Sequence, residues 1–488
     1  MTATDPLLIP VADQRDLLAS RKLSPSELLK LTFARIDAVN PAINAIVHLE
    51  RETALKAALA ADQRYINGTA RPLEGLPITI KDALDVVGMP ATCGAPAFKD
   101  RMPREDAVAV ARLRQAGAII TGKTCVPVFC GDFQSYNPLH GVTKNPWNQA
   151  FSAGGSSGGA AAAVVTGMAS FDIGTDQGSS VRWPCATNGI TGLKTSWGLV
   201  SSWGAVPPPP EKRPERNVDL VVVGPMTRHA SDLDLLLPIL SGPRNIALSG
   251  PALPAPRRTT PLGLRVAVWL DEAFAPVDTT VADGVREAAA MLADAGALVT
   301  AQARPSFRFE EAYEVFALLN HWNVGYALPP RIRDKIASRA AHYAPGDLSH
   351  VALQARGMRM TPGFYQVINA RRQQLIRQWA VFFQKYDVVL CPPAPVASLR
   401  HDHEPNIMIR TLDVNGQKRP YLDYLHWAAL ASGANLPAAV VPVGFSSDTM
   451  PRAVQIIGPA MEDRTPVAVA MMLQGLQGGF HAPGLVSS

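Results

Sequence analysis

The sequence predicts an α/β fold in which strands and helices alternate around one sheet. Three observations carry this expectation. β-Rich stretches recur along the chain, "LPITI" at 76–80, "GAIIT" at 117–121 and "LRVAVWL" at 264–270. Helical patterns lie between them, at 104–116, 158–170 and 280–296. Apolar residues make up 47% of the 488 and charged residues only 18%, so the chain can bury a large core. Alternation of this kind argues for one α/β sheet.

The elements follow in order. Ser24-Pro25-Ser26-Glu27 is a capping box with proline at the first helical position. Leu28, Leu29, Leu31, Ala34 and Ile36 continue at helical spacing, and Asn40-Pro41 is expected to stop that helix. A second helix is expected from about Leu49 to Tyr65, ending at Asn67-Gly68. Two Pro-rich segments punctuate the middle, 206–217 and 241–261. The second reads as a surface excursion and not a domain linker, because the patterns on both sides look like parts of one sheet. A strand, a helix and a strand follow across 264–302, then a helical, aromatic-bearing region at 308–385. Two buried-strand candidates, "YDVVLCPP" and "AAVVPVGF", come late in the chain. No internal repeat is visible.

Charge and cysteine usage exclude several function classes. The formal charge is +5, with Lys and Arg scattered. The densest basic stretch, "EKRPER" at 211–216, also carries two Glu and reads as a solvated loop, so no nucleic-acid partner is expected. The five cysteines, Cys93, Cys125, Cys130, Cys185 and Cys391, are odd in number and form no C-x-x-C. Reduced thiols in a reducing compartment fit that pattern. The N-terminal stretch lacks the long apolar run of a secretory signal, and the small, apolar run 159–171 is too short to span a bilayer. A cytoplasmic protein with no membrane partner is expected.

Several motifs compete for the chemistry. "GAIITGKT", Gly117 to Thr124, matches the P-loop pattern. A P-loop needs a strand before the loop and a helix after it. Here the preceding residues are helical, Gly117 suits a helix C-cap, "AIIT" is the strand, and Pro127 opposes a following helix. "HDHE" at 401–404 offers metal-ligand types without a third cluster at metalloenzyme spacing and reads as a polar loop. Gly154-Gly155-Ser156-Ser157-Gly158 matches G-x-S-x-G, but the preceding "NPWNQAFSA" is polar and turn-rich where a nucleophile elbow needs a buried strand.

A wider constellation fits better. Lys81 ends "GLPITIKD"; "GGSSGG" follows at 154–159; "GTDQGSSVRWP" runs from Gly174 to Pro184; Gly192-Leu193-Lys194-Thr195-Ser196 comes next. In that order these stretches resemble the amidase signature family, strongly over about residues 70–240 and more weakly over 385–475 and 1–60. The resemblance implies a single domain over 1–488, with a mixed central sheet covered by helices on both faces. Its signature core would lie at about 70–240 and a C-terminal part of the same sheet at about 262–475.

It also implies hydrolysis of a carboxamide C–N bond through an acyl-enzyme. Ser180 would be the nucleophile, Ser156 a bridging serine on a cis peptide, and Lys81 the base. A lysine works as a base only when neutral, and burial after the apolar "LPITI" would favour that form. Asp82 should face the opposite way. Backbone N–H groups of Gln177, Gly178, Ser179 and Ser180 would form the oxyanion hole, Asp176 and Arg182 would support the turn, and Ser157 would bond the loop backbone.

Ser179 stands where the family usually has glycine, so a positive φ there would carry strain. Trp183 would either wall the acyl pocket or lie in the core behind the turn. Cys130, Phe133, Trp183, Phe316, Asn320 and Trp322 are the candidate pocket residues. Their mixed apolar character favours an aryl or alkyl amide, or a carbamate, as the small-molecule substrate. No metal or cofactor is expected, and the chain would be a monomer or homodimer. A glutaminase subunit of a tRNA-dependent amidotransferase and a catalytically inactive binding protein remain as other readings.

Overall fold

The computed structural model describes residues 5–206, 217–245 and 250–486. Eleven strands form one sheet: β1 (Ile46–Leu49), β2 (Pro77–Lys81), β3 (Ile119–Thr124), β4 (Asp172–Asp176), β5 (Thr191–Lys194), β6 (Val222–Thr227), β7 (Arg265–Val268), β8 (Leu298–Thr300), β9 (Val388–Cys391), β10 (Ala438–Phe445) and β11 (Pro451–Ile457). Their spatial order is β1-β3-β2-β4-β6-β5-β10-β11-β9-β7-β8. β2 pairs in parallel with both β3 and β4, and β7 with both β9 and β8. The other neighbours are antiparallel, so the sheet is mixed.

Strand side chains alternate between two cores, one on each face. Val388, Leu390, Ala439 and Val441 enter one core with the helices Val108–Gln115, Ala230–Leu240, Thr279–Asp294 and Arg464–Leu476. Val389, Cys391, Ala438 and Val440 enter the other with Gly158–Val165, Phe309–Ala327, Pro362–Lys385 and Leu425–Gly433. The result is a large α/β domain with helices on both faces. Strands on either side of the second Pro-rich segment, β6 and β7, belong to the same sheet. Residues 207–216, which hold most of the first such segment and the basic stretch, lie outside the described residues, as do 246–249 of the second.

Four local expectations meet the structure. The capping box closes: Ser24 Oγ accepts from Glu27 N–H at 3.2 Å, and Glu27 Oε2 accepts from Ser24 N–H at 2.8 Å. Pro41 does not stop the first long helix, which runs Pro25–Ile43. The Asn40 carboxamide instead gathers the turn beyond it, accepting from the Ala45 and Ile46 N–H groups, while Asn44 ends the helix in a left-handed conformation. The second helix starts at Arg51, because residues 46–49 are recruited as edge strand β1. The P-loop geometry is absent: Gly117 at φ +103° follows the helix Val108–Gln115, and Lys123 sits within β3 with its Nζ on Leu84 O at 2.7 Å.

Ser24→Ala should lower stability by about 1 kcal/mol, the usual worth of an N-cap, read from a urea denaturation midpoint. No measurable shift would show that the cap contributes nothing here.

Candidate active site

Lys81 reaches the site through strand periodicity. Ile78 and Ile80 enter one core, which turns Thr79 and Lys81 to the opposite face. The Lys81 Nζ lies 2.7 Å from Ser156 Oγ, 2.9 Å from Thr175 Oγ1 and 3.2 Å from Thr175 O. The side chain is fully buried, and that burial lowers its pKa below the usual lysine range; the Cys130 and Cys93 thiols, Asp176 and Asp172 oppose the shift. Asp82 does face away, towards Thr92 and towards Lys123 Nζ at 3.2 Å. Asp172 anchors the lysine's backbone: it accepts from Lys81 N–H at 3.1 Å and from the Thr79 and Thr124 hydroxyls at 2.6 and 3.1 Å. Its own burial raises its pKa to about 7.

The glycine–serine segment carries Ser156 beneath Lys81. The Gly155–Ser156 peptide is cis. A side chain at Gly155 would meet Gln134 N and Phe133 C at 2.6 Å and Asp132 O at 2.7 Å, so only glycine lets the segment lie against the 132–134 backbone. Ser157 N–H donates to Ser180 O at 3.2 Å and joins this segment to the second turn. The Ser157 hydroxyl itself is buried without a partner among the described residues, contrary to the expectation that it would bond the loop. Ser135 Oγ takes that place, accepting from Gly158 N–H at 2.9 Å.

The second turn is built around Asp176. This carboxylate and Arg182 are both fully buried and doubly bonded, Nη2 to Oδ1 at 2.8 Å and Nε to Oδ2 at 3.0 Å. Asp176 also accepts from the N–H groups of Ser179, Val181 and Arg182. Burial alone would raise its pKa; Arg182 reverses this and holds the carboxyl down to about 2. Arg182 then reaches Gln455 Oε1 at 2.6 Å and Ser432 Oγ at 2.9 Å. Ser180 stays partly exposed on this turn.

Ser179 sits at φ +83°, the left-handed region that the serine-for-glycine departure implied. Its N–H is held by Asp176, which removes it from the four expected oxyanion donors. The N–H groups of Gln177, Gly178 and Ser180 meet no acceptor among the described residues.

The candidate pocket residues divide. Phe316 and Leu425 both adjoin Gly178: a Cβ there would lie 2.7 Å from Leu425 Cδ2 and 3.8 Å from Phe316 Cζ. Asn320, one turn beyond Phe316 on the helix Phe309–Ala327, accepts from Gln177 Nε2 at 2.7 Å. Cys130 is half-buried beside Ser156 and Lys81. Trp183 is corrected to the core: it is fully buried, its indole N–H donates to Phe133 O at 2.9 Å, and its ring packs on Tyr424. Phe133 is buried behind it, stacked on Tyr424 at 4.8 Å. Trp322 is two residues from Asn320, about 200° round the helix, and packs on Tyr365 instead.

Thr175, Asp172 and Leu425 were not singled out from the sequence. The first two lie in or beside the glycine-rich motif, whereas Leu425 carries no local signal. The "HDHE" loop is irregular, with His401 on Gln149 O and His403 stacked on Tyr136. One group among the described residues has metal-ligand character, His350, Asp423 and His426. Its partners are already internal: Asp423 bonds His350 at 2.8 Å and Arg419 at 2.9 Å, and His350 Nδ1 lies 2.7 Å from Tyr313 Oη. The cavity lined by His48, Asp82, Thr92, Lys99, Lys123 and His140 contains none of Lys81, Ser156 or Ser180.

A buried lysine on a serine, joined to a glycine-rich turn whose Gln177, Gly178 and Ser180 N–H groups meet no acceptor among the described residues, is an arrangement suited to serine-type amide hydrolysis. A family model described as Amidase matches residues 27–466. The chain belongs to this family, the amidase signature hydrolases, and is an enzyme acting on amide C–N bonds. It is 31% identical over 485 residues to a Glutamyl-tRNA(Gln) amidotransferase subunit of Roseiflexus castenholzii, with 94% of each chain covered. It is 31% identical over 455 residues to Indoleacetamide hydrolase of Bradyrhizobium diazoefficiens, covering 91% of this chain and 82% of that one. A solved crystal structure of an amidase superposes with a TM-score of 0.76 at 27% identity, covering 96% and 99%.

Asp176→Ala should destabilise the fold by about 3–5 kcal/mol, because Arg182 would be left buried and unpaired. The depressed Asp176 pKa means its contribution is present above the usual aspartate range and is lost as pH falls towards about 2. Urea titrations of the wild type and the variant at neutral pH test the first statement. A loss of less than about 1 kcal/mol would contradict the role given to the pair.

Proposed function

We propose that the enzyme hydrolyses an uncharged aryl or alkyl amide through an acyl-enzyme on Ser180, with Ser156 and Lys81 as the proton relay. The carrying observation is the fully buried Lys81 Nζ at 2.7 Å from Ser156 Oγ. In the attack, Ser180 Oγ bonds to the amide carbon. Its proton passes to Ser156, whose own proton passes to neutral Lys81. The carbonyl oxygen becomes an oxyanion and is received by the N–H groups of Gln177, Gly178 and Ser180. Collapse breaks the C–N bond, and the proton returns from Lys81 through Ser156 to the departing nitrogen. Water then attacks the Ser180 ester by the same relay and frees the acid. Thr175 and Asp172 position Lys81 throughout.

The substrate reading rests on Leu425 and Phe316 at Gly178, with Asn320 and Gln177 as the adjoining polar pair. Apolar walls favour an apolar group on the substrate, whereas burying the charged ends of free glutamine would need paired charges. The relative named Indoleacetamide hydrolase accords with an aryl-bearing amide. The same machinery would open a carbamate. A second reading, the glutaminase subunit of a tRNA-dependent amidotransferase, is favoured by the several relatives that carry that amidotransferase name.

A fluorophosphonate probe followed by peptide mass mapping should label Ser180. Labelling of Ser156 would reverse the roles of the two serines. Lys81→Ala should lower kcat/KM by roughly 10²–10⁴-fold, the range of general acid–base catalysis. Because the working form of Lys81 is neutral, wild-type kcat/KM should fall as pH drops through its lowered pKa and level off above it. Assays on arylacetamides, anilides, alkyl amides, a carbamate and L-glutamine test the substrate class. Turnover of glutamine alone would replace the first reading with the second.

A further inference from the structure

Two of the five thiols lie against each other at the edge of the relay. Cys93 Sγ and Cys130 Sγ are 3.8 Å apart. They come from separate loops that are also joined through the backbone, where Phe129 N–H donates to Cys93 O at 2.9 Å. Cys93, Phe129 and Cys130 have φ of +48°, +52° and +58°. Non-glycine residues are uncommon in that region, and three of them at one loop–loop contact show that the surroundings hold this juxtaposition in place. Cys93 is buried, whereas Cys130 is half-buried.

The chemistry of the two sulfurs differs. Burial pushes the Cys93 thiol well up. Cys130 is held below the usual thiol range by the Cys93 thiol, with Lys81 and the Ser156 hydroxyl adding to the effect against burial. A thiolate with a resolving thiol in contact is the arrangement that peroxides oxidise selectively.

We propose that Cys93 and Cys130 are a peroxide-sensitive pair whose closure to a disulfide switches off the neighbouring Lys81–Ser156 relay. This rests on the relay reading given under Proposed function. The Cys130 thiolate attacks one oxygen of hydrogen peroxide, the O–O bond breaks, and the released hydroxide takes up a proton as water. The product is a sulfenic acid. Cys93 sulfur then attacks the Cys130 sulfur, the S–O bond breaks, and hydroxide leaves with the Cys93 proton as a second water. Two thiols have lost two electrons, and the peroxide has gained them.

Closure must bring the sulfurs from 3.8 Å to about 2.05 Å. That movement draws on the loop whose residues 132–134 pack directly on Gly155, next to Ser156. The seat of the bridging serine, and with it the 2.7 Å contact between Ser156 Oγ and Lys81 Nζ, therefore shifts on closure.

The test treats the reduced, full-length enzyme with hydrogen peroxide and follows intact mass, linked peptides and amide hydrolysis in parallel. The expected result is loss of two hydrogens in mass, a Cys93–Cys130 linked peptide, and a fall in activity of about 10²-fold or more that dithiothreitol restores. Cys93→Ser should form no link and should leave a dimedone-reactive sulfenic acid on Cys130. Absence of the link in the wild type overturns the proposal, as does a link that leaves activity unchanged. Fluorophosphonate labelling of the reduced enzyme at Ser180 reports separately on the relay reading, so its failure is distinguishable from failure of the switch.

Discussion

The ion pair between Asp176 and Arg182 is the constraint on which the site depends. Both groups are fully buried, and a lone charge in that position would be costly. Their mutual geometry is satisfied only if the chain turns sharply between the end of β4 and the start of the helix Arg182–Asn188. Three backbone N–H groups of the turn and helix start converge on the carboxylate. Arg182 carries the constraint on to Gln455 in β11 and Ser432 in the helix Leu425–Gly433. Residues far apart in the chain thereby agree on where Ser180 stands. Asp176 claims the Ser179 N–H for this purpose, whereas the N–H groups of Gln177, Gly178 and Ser180 meet no acceptor among the described residues.

Lys81, the base of the proposed relay, is set by opposing influences. Burial favours its neutral form, while nearby thiols and carboxylates pull the other way. The balance is local, because the nearest acid in sequence, Asp82, points to the other face and is neutralised by Lys123. Lys123, the lysine of the apparent nucleotide-binding motif, thus lies in a strand with Asp82 as its structural partner.

Much of the architecture was legible because it depends on short-range pattern. The capping box, the β-rich runs at β2, β3 and β7, and the Gly117 C-cap are local features that the tertiary fold preserved. β1 and the strand role of 172–176 were not legible: "IVHL" is too short to stand apart from the helix after it, and "DIGTD" is weak in apolar character. Pro41 was misread because the Asn40 carboxamide, and not proline, organises the turn that follows. In the site, Phe316 and Asn320 reach the glycine-rich turn, whereas Trp322 is carried away by the period of the same helix and Trp183 is drawn into the core by Phe133 and Tyr424.

The sequence by itself determined the α/β class, the family, and the order of Lys81, Ser156 and Ser180, because ordered glycine–serine motifs and a strand-ending lysine are properties of the chain read linearly. Only the tertiary structure decided that Lys81 meets Ser156 and Thr175, that Ser179 turns its N–H inward, and that Leu425 faces Gly178. It also decided that Cys93 and Cys130 touch. Each of these is a contact between segments distant in sequence or a backbone angle set by such a contact. Sheet pairing and a buried ion pair select these arrangements; residue spacing does not.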